Sequence, residues 1–238
     1  MSNATAEYYL KLNSNSRTSI VESTAAPERF GQAQASIEEL VAWTKLRVFG
    51  PENVAMSSAL NEAVTGLYLV AGGAYRPALT ALRLFLELSL ASIFFSANRL
   101  ELAEWVAGNK DIFWSQLVDY DNGVLSTRYT KAFFPELSIE IGSFNAKARE
   151  TYRGLSEYVH GNKATLATTE ESLRYSADLM TMWFDHFHSA TETVLIALSV
   201  RFLKELDDDS ISTIAAATRD RIGYIAPIRE YIEQNRGR

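Results

Sequence analysis

The stretch from Ala78 to Phe95 constrains this chain most. It is apolar nearly all round, and Arg83 and Glu87 are its only charges. Such a segment is either a membrane span or the buried centre of a helical protein. Two charges near the middle of a span would be costly in a bilayer, so it reads as a buried soluble helix running from about Arg76 to Ala97. Buried charges need partners. Arg83 and Glu87 sit one turn apart, so they are expected to pair, either to tie this helix to its neighbours or to wall a functional cleft. Glu62 on the preceding helix is a possible third member of that group.

The rest of the chain supports the same class. Five prolines and twelve glycines in 238 residues leave few interruptions, which suits long helices. Ser36 with Glu39 reads as a capping box opening one helix, which Gly50-Pro51 ends. A second runs from about Glu52 to Val70 and breaks at Gly72-Gly73. Shorter pieces follow over Leu100–Ala107, Asp111–Val118 and Arg128–Phe134. Further helices are expected over Phe144–His160 and about Ser172–Leu206. Asp207-Asp208-Asp209 can cap a last stretch, and Arg219–Arg236 is amphipathic but interrupted by Gly223 and Pro227. No series of period-two strands appears. The expectation is an all-α irregular helical bundle of five or more main helices. It forms one domain over residues 34–238. Residues 1–33 read as weakly ordered, with a short helical turn around Tyr8 to Leu12.

Composition removes several chemistries. There is no cysteine, so disulfides, thiolate metal sites and cysteine nucleophiles are excluded. Imidazole chemistry must use His160, His186 or His188. The net charge of −6 argues against a dedicated duplex-DNA binder, which usually shows a basic face. The first thirty residues are polar and do not read as a signal peptide, so the cytoplasm is the expected location. No phosphate-binding loop, dinucleotide fingerprint or nucleophile elbow is present.

The segment Lys147–Lys163 reads KARETYRGLSEYVHGNK. Arg153 and His160 are seven apart, which at about 100° per residue puts them on one helix face, roughly 10.5 Å apart along the axis. Ser156 and Glu157 lie between them on that face. A cation, a hydroxyl, a carboxylate and an imidazole thus form one polar stripe, with Leu155, Tyr158 and Val159 opposite. From Phe144 to Lys163 the cations Lys147, Arg149, Arg153 and Lys163 outnumber Glu150 and Glu157. Arg128 and Lys131 can extend this cationic patch. Tyr129, Phe133 and Phe134 nearby can stack bases or simply fill the core.

An Arg followed by six residues and a His near a helix end resembles the signature of HEPN domains, all-α proteins of bacterial toxin–antitoxin and antiviral systems. Tyr152–Gly161 also resembles the "LS-x-Y-V-H-G" stretch of HEPN-like bacterial proteins, and Ala81–Leu88 the "A-L-R-x-x-L-E" helix seen with it. The sequence departs from the pattern at Gly154, where active members usually carry a polar residue, often Asn.

The resemblance implies metal-independent RNA cleavage by attack of a 2′-hydroxyl on the adjacent phosphate. His160 would be the general acid or base, and Arg153 would hold the phosphate. Ser156 and Glu157 would support them, with Arg83 and Glu87 as a cleft wall and Lys147, Arg149 and Lys163 as RNA contacts. No cofactor or metal is called for. A homodimer is implied, with RNA as ligand and an antitoxin or defence component as a further partner. A second reading stays open: a catalytically inert HEPN-like module that binds RNA, a nucleotide or a protein partner. Asp185-His186-Phe187-His188 is not expected to hold a metal. His186 and His188 diverge by about 200° on a helix, and the Met and aromatic residues around them read as packing.

Overall fold

The computed structural model describes residues 2–46, 48–159 and 173–235. Among these the chain forms eleven α-helices, two short 3-10 turns and no strand. The helices are α1 (Ser2–Ser23), α2 (Glu28–Thr44), α3 (Asn53–Ala71), α4 (Tyr75–Ala97), α5 (Arg99–Val106), α6 (Trp114–Leu117) and α7 (Thr127–Phe133). After them come α8 (Ile141–Val159), α9 (Ala177–Phe202), α10 (Asp208–Ile222) and α11 (Ala226–Asn235). The all-α class is as expected.

α4 lies at the centre because it is apolar on every side, and α3, α9 and α8 pack around it. Phe85, Leu86, Leu90 and Ile93 are fully buried. α9 brings Trp183, whose indole N–H donates to the Ala78 carbonyl at 3.1 Å and whose ring stacks on Phe187. α3 and α4 are each long and apolar enough to cross a membrane by length and composition alone. In this structure 72% of the apolar window of α4 is buried inside the protein, as its reading as a core helix requires.

The break between α3 and α4 falls where the glycine pair predicts it. Gly73 has φ +77°, a conformation that glycine adopts without a steric penalty. A β-carbon there would also lie 2.8 Å from the Arg174 carbonyl oxygen, so the backbone leading into α9 needs the space. Asp207 caps α10 by accepting from the Ser210 N–H at 2.9 Å, again as expected.

The N-terminal region differs from its sequence reading. Residues 2–23 form one continuous helix rather than a single turn. Its C-terminal half is held by Ser19 and Ser23, whose hydroxyls both donate to the Ala71 carbonyl, at 3.0 and 3.2 Å. That carbonyl lies at the end of α3, where backbone oxygens lack an intrahelical donor. Ser36 is not an N-cap. α2 begins at Glu28, and Ser36 sits inside it with its hydroxyl donating to the Gln32 carbonyl. Serine competes for backbone bonds in both settings, and here the i−4 carbonyl is its partner.

Candidate functional site

α8 carries the polar stripe, and its three sides do different work. Ile141, Asn145, Ala148, Thr151 and Leu155 are buried in the core. A second side faces α9, where Lys147 meets Glu192, Gly154 meets His186, and the Tyr158 hydroxyl donates to the Met182 sulfur at 2.9 Å. The partner numbers fall as the α8 numbers rise, so the two helices run antiparallel. The third side, with Glu150, Arg153 and Glu157, is exposed.

Arg153 lies on this open side, and among the described residues it makes no hydrogen bond, ion pair or ring contact. Ser156 is half-buried and turned back on its own helix, its hydroxyl donating to the Tyr152 carbonyl at 2.7 Å. Glu157 is exposed, and its charge acts on His186. His160 and Lys163 lie outside the described residues. The last described turn of α8 is capped by a residue that the sequence did not point to. Arg76 of α4 donates to the Tyr158 carbonyl at 2.9 Å and to the Val159 carbonyl at 3.4 Å, satisfying oxygens that a helix end leaves bare.

Arg83 and Glu87 do pair, at 3.8 Å, and Tyr152 completes the group. The Arg83 guanidinium donates to the Tyr152 hydroxyl at 2.5 Å, and that hydroxyl donates to Glu87 at 2.8 Å. Trp114 of α6 stacks on the Tyr152 ring at 3.9 Å with the planes 5° apart. Burial, and then the bond to the Glu87 carboxylate, push the Tyr152 phenol above its ordinary value. This cluster ties α4, α6 and α8 together, which is the structural role weighed for the pair. The Arg83 Nε is buried without a hydrogen-bond partner.

The other two described cations of α8 are committed. Lys147 bonds Glu192, which also accepts from the Tyr224 hydroxyl at 2.5 Å. Burial alone would raise the Glu192 carboxyl, but the bonds from Lys147 and Tyr224 outweigh it and hold the group below its usual range. Arg149 bonds the Asn145 side chain and the Val118 carbonyl, and its guanidinium lies 4.2 Å from the Tyr120 ring centre. Of the aromatic residues weighed for base stacking, Tyr129 and Phe134 are buried. Phe133 is half-buried, with the Arg201 guanidinium over its ring.

His186 is the residue whose position the sequence did not reveal. A β-carbon at residue 154 would lie 2.7 Å from His186 Cε1 and 3.3 Å from Nε2. The imidazole therefore fills the space that a side chain at 154 would need. The available signal was a glycine inside a strongly patterned helix, which costs roughly 1 kcal/mol against alanine and asks for a packing reason. Burial pushes the His186 imidazole below its ordinary value, against the opposing charges of Asp185 and Glu157. His188 points elsewhere, into an 850 Å³ cleft between α2, α9 and α10. Among the described residues no three His, Asp or Glu side chains come together as a metal site would require.

Set against models of protein families, curated proteins and solved structures, the chain matches none of them.

Proposed function

We propose that the chain is a HEPN-like protein that cleaves RNA without a metal, in a stress or phage-defence setting, with Arg153 and His160 as the catalytic pair. The observation that carries this reading is the state of Arg153. It is the one cation among the three described on α8 that is exposed and without a partner, so its planar fork is available to a phosphate. The short spacing motif and the resemblance supply the rest. Gly154, the departure from the family pattern, faces α9 and not the open side that carries Arg153.

The test is cleavage of labelled single-stranded and structured RNAs in EDTA by the native protein, Arg153→Ala and His160→Ala. Cleavage that survives chelation and disappears in both variants supports the reading. No cleavage by well-folded native protein overturns it.

One observation favours the second reading, an inert module binding RNA, a nucleotide or a protein. Lys147 and Arg149, expected as RNA contacts, are spent on internal bonds. Binding of the same RNAs without cleavage would select this reading. A second copy of the chain and an antitoxin-like component remain the partners proposed with either reading.

A further inference from the structure

We propose that the cleft between α2, α9 and α10 binds an organic cation, a small molecule with an apolar body and an amine, and that Asp185 and Asp220 meet its charge. The site does not rest on the ribonuclease reading, and no described residue of α8 lines it. The cleft measures 850 Å³, within the range of about 300–1,000 Å³ that small-molecule sites occupy. Its lining divides by chemistry. Ala33, Phe184 and Phe187 line it and are buried, a floor that suits an apolar body. Its carboxylates come from all three helices, Glu39 from α2, Asp185 from α9 and Asp220 from α10, so packed helices rather than loops hold them in place.

The charges on the walls decide what enters. Glu39, Asp185 and Asp220 are the acids, Arg29 and Arg221 are the cations, and His188 opens into the same space. Both cations are engaged. Arg221 pairs with Glu39 at 2.7 Å and donates to the Gln32 carbonyl at 3.2 Å. Arg29 donates to the Thr181 hydroxyl at 2.8 Å. Asp185 and Asp220 are exposed, and among the described residues neither makes a hydrogen bond or an ion pair. Once Glu39 and Arg221 cancel, two open carboxylates stand against Arg29, so the cleft favours an ammonium over a phosphate or a carboxylate. The floor has the same preference. Glu39 is only 6% exposed, yet its Oε1 and the Thr218 hydroxyl that acts on it are buried without a hydrogen-bond partner. A buried oxygen left in that state is costly, and an N–H donor is the partner it lacks. Asp220 adds to the rise of the Glu39 carboxyl, as a second negative charge facing the same space does.

The experiment is isothermal titration calorimetry of the native protein at pH 8 with tryptamine, tryptophol and indole-3-acetate. These share one ring system and differ in carrying an amine, a hydroxyl or a carboxylate. Spermidine serves as a second cation. Tryptamine should bind at least about tenfold more tightly than the other two indoles, the factor that one charge-assisted hydrogen bond supplies. Asp185→Asn combined with Asp220→Asn should weaken tryptamine by about tenfold or more. Glu150→Gln combined with Glu233→Gln removes the same charge from exposed positions outside the cleft and should leave binding unchanged. The three indoles need no variant, so they decide the matter should the aspartate variant fail to fold. Four results overturn the inference. Equal affinity for the three indoles would mean an apolar pocket without charge selection. Tightest binding of indole-3-acetate would mean an anion site built on Arg29 and Arg221. Equal losses in the two double variants would mean attraction by net charge alone. Absence of binding by both tryptamine and spermidine at about 1 mM would mean that the cleft takes no organic cation.

Discussion

Gly154 and His186 form a pair whose coupling is measurable apart from any activity. In an open helix, glycine to alanine gains about 0.5–1 kcal/mol. Here the new methyl meets the His186 ring at a distance that carbon atoms do not adopt, and crowding of that kind costs about 1–3 kcal/mol. Gly154→Ala should therefore fail to stabilise the native protein yet stabilise a His186→Ala background. Urea unfolding of the four proteins should give a coupling of about 1 kcal/mol; additivity would mean that the ring moves aside freely. The same imidazole predicts a pH effect. Its folded value is depressed, so the stability it contributes is present above its unfolded value near 6.5 and is lost as pH falls through the folded value. The native protein should lose stability from pH 7 toward pH 5 more steeply than His186→Gln. Parallel curves for the two would show that the ring titrates as it does in the unfolded chain.

At the scale of elements, α8 depends on what its neighbours lend it. Its last carbonyls are held by Arg76. Arg76→Leu removes charge-assisted bonds and a cation at a helix C-terminus, so it should destabilise by about 1–2 kcal/mol. Hydrogen exchange should rise most in the final turn of α8; a uniform rise across the chain would argue against a local cap. Here the sequence and the structure part company for a physical reason. α3, α4 and α8 were legible because their apolar positions recur at helical spacing. α1 was not, since Asn13–Ser16 has poor helix propensity and reads as a turn. It is helical because Ser19 and Ser23 bond the end of α3, a contact about fifty residues away in the chain. The Arg83–Glu87 pair was legible from its spacing, but Tyr152, which joins it, comes from α8. His186 was hidden for the same reason, since only the antiparallel packing of α9 on α8 brings it against Gly154.

At the scale of the whole molecule, the central position of α4 follows from its lack of a polar side, and the long α9 packs against α4, α8 and α2. Two helices far apart in the chain, α2 and α10, are joined by a contact of another kind. Glu39 of α2 is buried and pairs with Arg221 of α10 at 2.7 Å. Burial raises the Glu39 carboxyl even though Arg221 opposes it. Removing Arg221 leaves a carboxyl with 2% side-chain exposure and no cation. Breaking a buried pair in this way costs about 3 kcal/mol. The sign of its pH dependence is fixed by the raised value. Burial favours the neutral acid over the carboxylate, so the stability tied to this shift is present below the ordinary value of 4.5 and lost as pH rises through the folded value. Arg221→Ala should therefore lie furthest below the native protein at pH 8 and close the gap on acidification, opposite in direction to the effect of His186. Adding Glu39→Gln should remove most of the gap at pH 8 and make the remainder independent of pH. A gap that stays constant with pH, or that the second substitution widens, would mean that the Arg221 side chain stabilises by packing alone and not by neutralising Glu39.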